Sequence, residues 1–154
     1  MIRILIEQQR LIHHRASGVC HEYIISTAKQ GTGNQRNSWQ TPLGMHRIHQ
    51  QIGHNMPLHT VFRGRKPCGI YHHGVDDPEK DWILTRILWL EGMQTGINRR
   101  GQRDTRLRYI YIHGTHDEAH LGSPVSHGCI RMHPEDMVEL FDACCEGERV
   151  LISP

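Results

Sequence analysis

Residues 123–136 read SPVSHGCIRMHPED, so Ser126, His127 and Gly128 lead directly into Cys129, and Arg131 stands two positions after it. A buried cysteine is ordinarily a small, inert hydrophobe, whereas polar and cationic neighbours are the surroundings of a reactive one. A thiol that attacks a carbonyl needs a base or cation that raises its thiolate fraction, and donors for the oxyanion that forms. Free cysteine, with a pKa of about 8.5, is only a few per cent thiolate near neutrality, and a neighbouring imidazolium would stabilise the anion. Two histidines are candidates for the base: His127, and His113 in the IHGT stretch at 112–115. Gly128 leaves space for a substrate beside the sulfur, and the backbone N–H groups around Gly128 and Cys129 are candidate oxyanion donors.

Other patterns compete with this chemistry and carry less. His113, His116 and His120 form H-x2-H-x3-H, but the segment lacks H-E-x-x-H and lies on a Gly- and Asp-containing loop that fixes no common face, so no metal site is expected. The DEAH at 117–120 has no G-x-x-x-x-G-K-[ST] loop to accompany it, and the GTG at 31–33 reads as a turn. Cys20, Cys68, Cys144 and Cys145 are read as core or incidental thiols, and Trp82 and Trp89 as core. His72 and His73, with Tyr71, are read as exposed loop residues.

The elements that must position Cys129 and His113 are mostly strands. Residues 2–6 and 10–14 flank a polar bend and read as a hairpin; 20–26 (CHEYIIS) reads as the next strand, followed by a loop rich in Gly, Asn and Pro. A strand starts after Gly44, and 53–79 shows no period and is read as irregular, a flap. Ile83, Thr85, Ile87 and Trp89 alternate through a strand buried on both faces, and 107–114 (LRYIYIHG) alternates and ends so that His113 sits at a strand exit. One helix is expected over 134–146, with Pro134 at its start, Glu135 and Asp136 at the positive end of its dipole, Gly147 at its stop, and Met137, Leu140, Phe141 and Cys144 on one face. The residues 149–153, RVLIS, close as a strand. A mainly β domain spanning 1–154 is the expectation.

Composition limits the partners. The 154 residues carry a formal net charge of +2, and no Lys/Arg run suggests a nucleic-acid groove or an anionic membrane surface. Histidine is over-represented, with 14 copies. Five cysteines, an odd number with two of them adjacent, point to free thiols and a reducing compartment. The opening MIRILIEQQR is too short and polar for a signal peptide or membrane span. The expected location is the cytoplasm, or the periplasm if an export leader has been removed.

The IHGT at 112–115, followed by LGSPVSHGCIRM at 121–132, resembles the signature of YkuD-type L,D-transpeptidase catalytic domains: a histidine, a short loop, then Ser/Thr-His-Gly-Cys, an apolar residue and Arg or Asn. IISTAKQGTG, TPLGMHRI and GINRRGQRDTRLRYIYIHGT extend the likeness over nearly the whole chain. The resemblance implies a β-sandwich-like domain in which Cys129 attacks the L,D-peptide bond of a peptidoglycan stem peptide. It implies that His113 is the base, oriented by a backbone carbonyl just after it, that of Gly114. By the same likeness Ser126 and His127 support the site, and Arg131 either braces the loop or meets a substrate carboxylate. No cofactor is implied. Wall-crosslinking members of the family usually carry a leader, so the expected reaction is an L,D-carboxypeptidase cleavage that frees terminal D-Ala from muropeptide tetrapeptides during wall recycling. Transpeptidation, forming crosslinks or exchanging D-amino acids, is the alternative; the sequence is silent on oligomeric state.

Overall fold

The computed structural model describes all residues 1–154. Ten strands and one α-helix follow in the order β1 Ile2–Leu5, β2 Arg10–His14, β3 Cys20–Ser26, β4 Gly44–Ile52, β5 Thr60–Arg63, β6 Lys66–Ile70, β7 Ile83–Gly92, β8 Tyr111–Gly114, β9 Ile130–Met132, α1 Pro134–Ala143 and β10 Arg149–Ser153. Alternate residues of the short strands point inward: Ile2 and Ile4 on β1, Leu11 on β2, Tyr23 and Ile25 on β3, Val150 and Ile152 on β10 are all buried. α1 adds Met137, Leu140 and Phe141 to the same core. The protein is mainly β with one helix near the C-terminus, as expected. No helix is long and apolar enough to cross a membrane.

The sheet runs β4-β10-β1-β2-β3-β9-β8-β7-β5-β6, and β4 also pairs with β7. Eight strands therefore close on themselves as a barrel rather than stacking as two sheets, and the β5–β6 hairpin hangs outside on β7. Closure removes the edges that an open sheet would leave for pairing. The step that matters for chemistry is β8–β9, a parallel pair with His113 opposite Arg131 and Ile112 opposite Ile130.

Three elements differ from the sequence reading. Part of the supposedly irregular 53–79 is the β5–β6 hairpin; Val61 and Phe62 are buried against β7, but every residue of β6 is exposed, and Pro67 and Gly69 interrupt it. An edge strand wet on both faces has no reason to alternate. The strand expected over 107–114 begins only at Tyr111, because Asp104 turns the chain first: its carboxylate accepts from the N–H groups of Arg100 and Leu107, and its carbonyl from Arg108. α1 stops at Ala143, with Cys144 extended. Its last carbonyls are taken up from outside, Gln51 Nε2 donating to Phe141 O at 2.8 Å, and Glu148 receives the Cys145 N–H.

Candidate active site

Parallel pairing brings the two separated motifs together. Continued one step back along both strands, the β8–β9 register sets Cys129 beside Tyr111, and the Tyr111 N–H donates to Cys129 Sγ at 3.3 Å. Side chains two apart share a face of a strand, so His113 and Cys129 emerge on the same side of adjacent strands as diagonal neighbours. The thiol of the half-buried Cys129 points at the Tyr109 carbonyl, 3.5 Å away. The turn before Tyr111 makes that contact possible.

His113 is almost wholly buried, and its Nδ1 lies 2.8 Å from the Gly114 carbonyl. A carbonyl only accepts, so Nδ1 carries the hydrogen and Nε2 is the free, basic nitrogen. Gly114 is needed for this geometry. A Cβ there would stand 2.2 Å from Thr85 Oγ1. Thr85 sits at φ +77° in the irregular stretch of β7 between Leu84 and Ile87, a costly conformation for a β-branched residue, and its hydroxyl is buried without a partner.

Burial pushes the Cys129 thiol up to about 12, and the Tyr111 N–H and the Arg131 and Arg108 cations only partly offset it. Burial likewise holds His113 below the ordinary histidine value, against the raising pull of Asp81 and of the Gly114 carbonyl. Both directions favour the neutral thiol and the neutral imidazole.

Ser126 organises the turn. Its Oγ donates to the Cys129 carbonyl at 2.6 Å and accepts from the Gly128 N–H at 3.2 Å, while its backbone is stitched to Thr27 and Lys29 beyond β3. Thr41 Oγ1 holds the turn from the other side, donating to Gly128 O at 3.0 Å. The Gly128 N–H is thus engaged within the turn, which corrects its candidacy as an oxyanion donor; the Cys129 N–H bonds no other group. Gly128 also does not clear space over the sulfur. Its φ is +129°, and an added Cβ would face Gln40 O and Ile110 Cδ1, both at 3.4 Å. A positive φ is what demands glycine there.

His127 is exposed, and its Nδ1 meets Asp81 Oδ2 at 2.9 Å. Arg131, nearly buried, donates to Asp81 Oδ1 at 2.7 Å and stands 3.9 Å from Asp117. Asp81, in the loop that follows β6, was not singled out in the sequence; its only local signal is a carboxylate directly before Trp82 and β7. Burial raises its pKa, yet the positive charge that His113 acquires in acid, the Arg131 cation, and the hydrogen bond and acid-side charge of His127 together outweigh burial and hold its carboxyl below the usual aspartate value. His116 and His120 do not join His113: His116 Nε2 meets the Pro78 carbonyl and His120 Nδ1 meets Asp117.

Two cavities meet at His127. One, of about 390 Å³, includes Tyr71, Asp81, Asp117, His120 and Arg131 in its walls and mixes both signs of charge. The other, of about 250 Å³, includes Arg36, Trp39, Arg108, Tyr109 and Ile110 and has no acidic residue. Arg108 is fixed there by the carbonyls of Gly33 and Gln40. It too went unnoticed in the sequence, since one arginine in a strand-like stretch looks like an exposed position.

The YkuD model, described as an L,D-transpeptidase catalytic domain, matches residues 1–152. The chain is 52% identical over 46 residues to Bacillus subtilis YqjB and 50% identical over 42 residues to Bacillus subtilis YkuD, both of which carry L,D-transpeptidase in their names. Those stretches cover 30% and 27% of this chain and 26% of each relative. The fold is similar to that of an L,D-transpeptidase from Xylanimonas cellulosilytica, with TM-score 0.62, 18% identity, and coverage of 99% of this chain and 59% of that one. It is also similar to L,D-transpeptidase 3 from Mycobacterium tuberculosis in complex with a faropenem-derived adduct, with TM-score 0.59, 18% identity, and coverage of 99% and 59%. The chain spans little more than half the length of those two structures.

Proposed function

We propose, because the chain belongs to the YkuD family of L,D-transpeptidase catalytic domains, that it is a cysteine acyl-transfer enzyme acting on L,D-peptide bonds of peptidoglycan stem peptides, and that it works as an L,D-carboxypeptidase. The observation that carries the chemistry is the shared face of His113 and Cys129 on adjacent strands, with the Gly114 carbonyl leaving Nε2 free. Cys129 Sγ attacks the carbonyl as Nε2 accepts the thiol proton. The Cys129 N–H supports the oxyanion. His113 then returns the proton to the departing amine, leaving a thioester. Water attacks the thioester through the same base, and the C–S bond breaks to free the acid and the thiol. Asp81, His127 and Arg131 act as positioning residues.

Hydrolysis is favoured over crosslinking by the cavity of Arg36 and Arg108. A cationic wall without acidic residues suits the carboxylate of a departing D-Ala and disfavours an incoming ammonium group. The substrate class on this reading is a muropeptide tetrapeptide. The five unpaired thiols suit a reducing compartment, and we assign the reaction to the cytoplasm on that basis.

Incubation with a defined murein tetrapeptide, followed by mass spectrometry, tests the reading. Loss of one D-Ala without dimers is expected, and Cys129→Ser should abolish it. Dimers, or exchange with added D-amino acids as the main product, would replace hydrolysis by transpeptidation; undiminished cleavage by the serine variant would remove Cys129 as nucleophile.

A further inference from the structure

The β5–β6 hairpin turns at Gly64 and Arg65, and Arg65 takes φ +65° to send its side chain back over the site. Its guanidinium carbon lies 4.5 Å from the Trp89 ring centroid and 5.2 Å from that of Tyr109, and Nη1 donates to Tyr111 Oη at 3.1 Å. The Trp89 ring centroid lies 6.1 Å from each of the two tyrosine rings, so the three form an aromatic corner. Arg65 makes no ion pair; ring faces and one phenol are its charge's only partners. Such a corner attracts a cation through the ring quadrupoles.

Its position ties it to the sulfur. Cys129 and Trp89 both pack against the cluster of Phe62, Ile87 and Tyr111, and Sγ touches the backbone of both Tyr109 and Tyr111. The cation in the corner rides on the turn of the β5–β6 hairpin. The hairpin is paired to β7 at only two positions, Val61 with Leu84 and Phe62 with Ile83, and its outer strand is exposed throughout.

We infer that Arg65 is a specificity-determining residue of the acyl-enzyme: it fills, with a cation of the chain's own, the aromatic corner that would otherwise hold the cationic amine of an acyl acceptor beside Cys129. The inference rests on the thioester reading above. With Arg65 seated, the thioester is left to water. With the corner vacant, an ammonium group settles on Trp89, Tyr109 and Tyr111. It loses one proton to solvent and attacks the thioester carbon as a free amine; the C–N bond forms, the C–S bond breaks, and His113 carries the second proton to the sulfur. The arrangement also agrees with the cationic Arg36–Arg108 wall, whose cavity shares Tyr109 with the corner and likewise disfavours an amine.

The test compares wild type, Arg65→Lys and Arg65→Asn, asparagine being tolerant of the positive φ. Each is incubated with murein tetrapeptide and excess D-lysine, and mass spectrometry reads the ratio of D-lysine exchange to hydrolysis. Arg65→Asn should raise that ratio by about tenfold while D-Ala release continues, and Arg65→Lys should resemble wild type. An unchanged ratio in an active Arg65→Asn variant overturns the inference. A second measurement needs no turnover: tryptophan fluorescence titrated with tetramethylammonium chloride, against sodium chloride at equal ionic strength. A saturable response in Arg65→Asn that wild type lacks is expected, and its absence overturns the inference. Should wild type release no D-Ala, the proposed function fails, and the titration still decides the corner. If Arg65→Asn does not fold, Arg65→Gln, longer and uncharged, takes its place in both measurements with the same expected results.

Discussion

Arg131 Nη2 lies 2.7 Å from Asp81 Oδ1, joining two side chains fifty positions apart and fastening the loop after β6 to the catalytic turn. Arg131 is nearly buried and Asp81 only partly so, which makes the arginine the partner that suffers when the pair is broken. Asp81→Asn should cost about 1–2 kcal/mol in urea unfolding at neutral pH, below the figure for a fully buried pair because the carboxylate reaches solvent. The sign with pH follows from the lowered carboxyl pKa: its stabilisation is present above the ordinary aspartate range and is lost as pH falls through the depressed folded value. The asparagine variant should lack this acid-side slope, and an identical slope in both proteins would contradict the assignment.

The raised Cys129 thiol makes a distinct prediction about thiol chemistry. Alkylation consumes thiolate, and burial holds the Cys129 thiol near 12. At pH 7 iodoacetamide should therefore label the exposed Cys20, Cys68 and Cys145 before Cys129, with the Cys129 rate rising about tenfold per pH unit above neutrality. Turnover should instead plateau through neutral pH and fall only below the ordinary histidine range, since His113 must stay unprotonated to accept the proton. Peptide mapping after timed labelling reads the first; the pH dependence of kcat/KM reads the second.

Gly114→Ala should damage both stability and rate. The new methyl meets the Thr85 side chain, so β7 or β8 must shift, at about 1–3 kcal/mol. The same shift moves the carbonyl that fixes the His113 tautomer. Wild-type kcat in a variant destabilised by that amount would show that the carbonyl's placement is immaterial.

Ser126→Ala removes the hydroxyl that bonds both Cys129 O and Gly128 N. Two lost hydrogen bonds in a buried turn should lower stability by about 1–3 kcal/mol. The catalytic effect should fall on kcat more than on KM, because the hydroxyl is buried and bonded within the turn, where it sets the direction of Cys129. Serine's role as a mere packing residue would predict equal rates.

Most strands were legible because burial imposes a period. Ile2, Ile4, Leu11, Tyr23 and Ile25 alternate inward from a barrel wall wet on its outer face, and β7 runs apolar because it is buried on both sides. The β5–β6 hairpin left no such record, its outer strand being solvated on both faces. Closure through β4–β7 was equally silent, since pairing between strands whose nearest ends, Ile52 and Ile83, are separated by more than a hairpin's length leaves no local mark.

The sequence by itself supplied the candidate reacting groups, Cys129 in Ser-His-Gly-Cys and His113 in His-Gly, through a resemblance to a family signature, and the helix that follows them through its own short spacings. Tertiary structure decided their state and their company. Parallel pairing of β8 with β9 sets His113 and Cys129 on one face, and burial there favours the neutral thiol. Asp81 and Arg65 reach the site from the loop after β6 and from the β5–β6 turn, where only the packing of distant segments brings charge against charge and cation against ring. Burial and long-range electrostatics depend on what surrounds a residue in space, and no spacing along the chain records them.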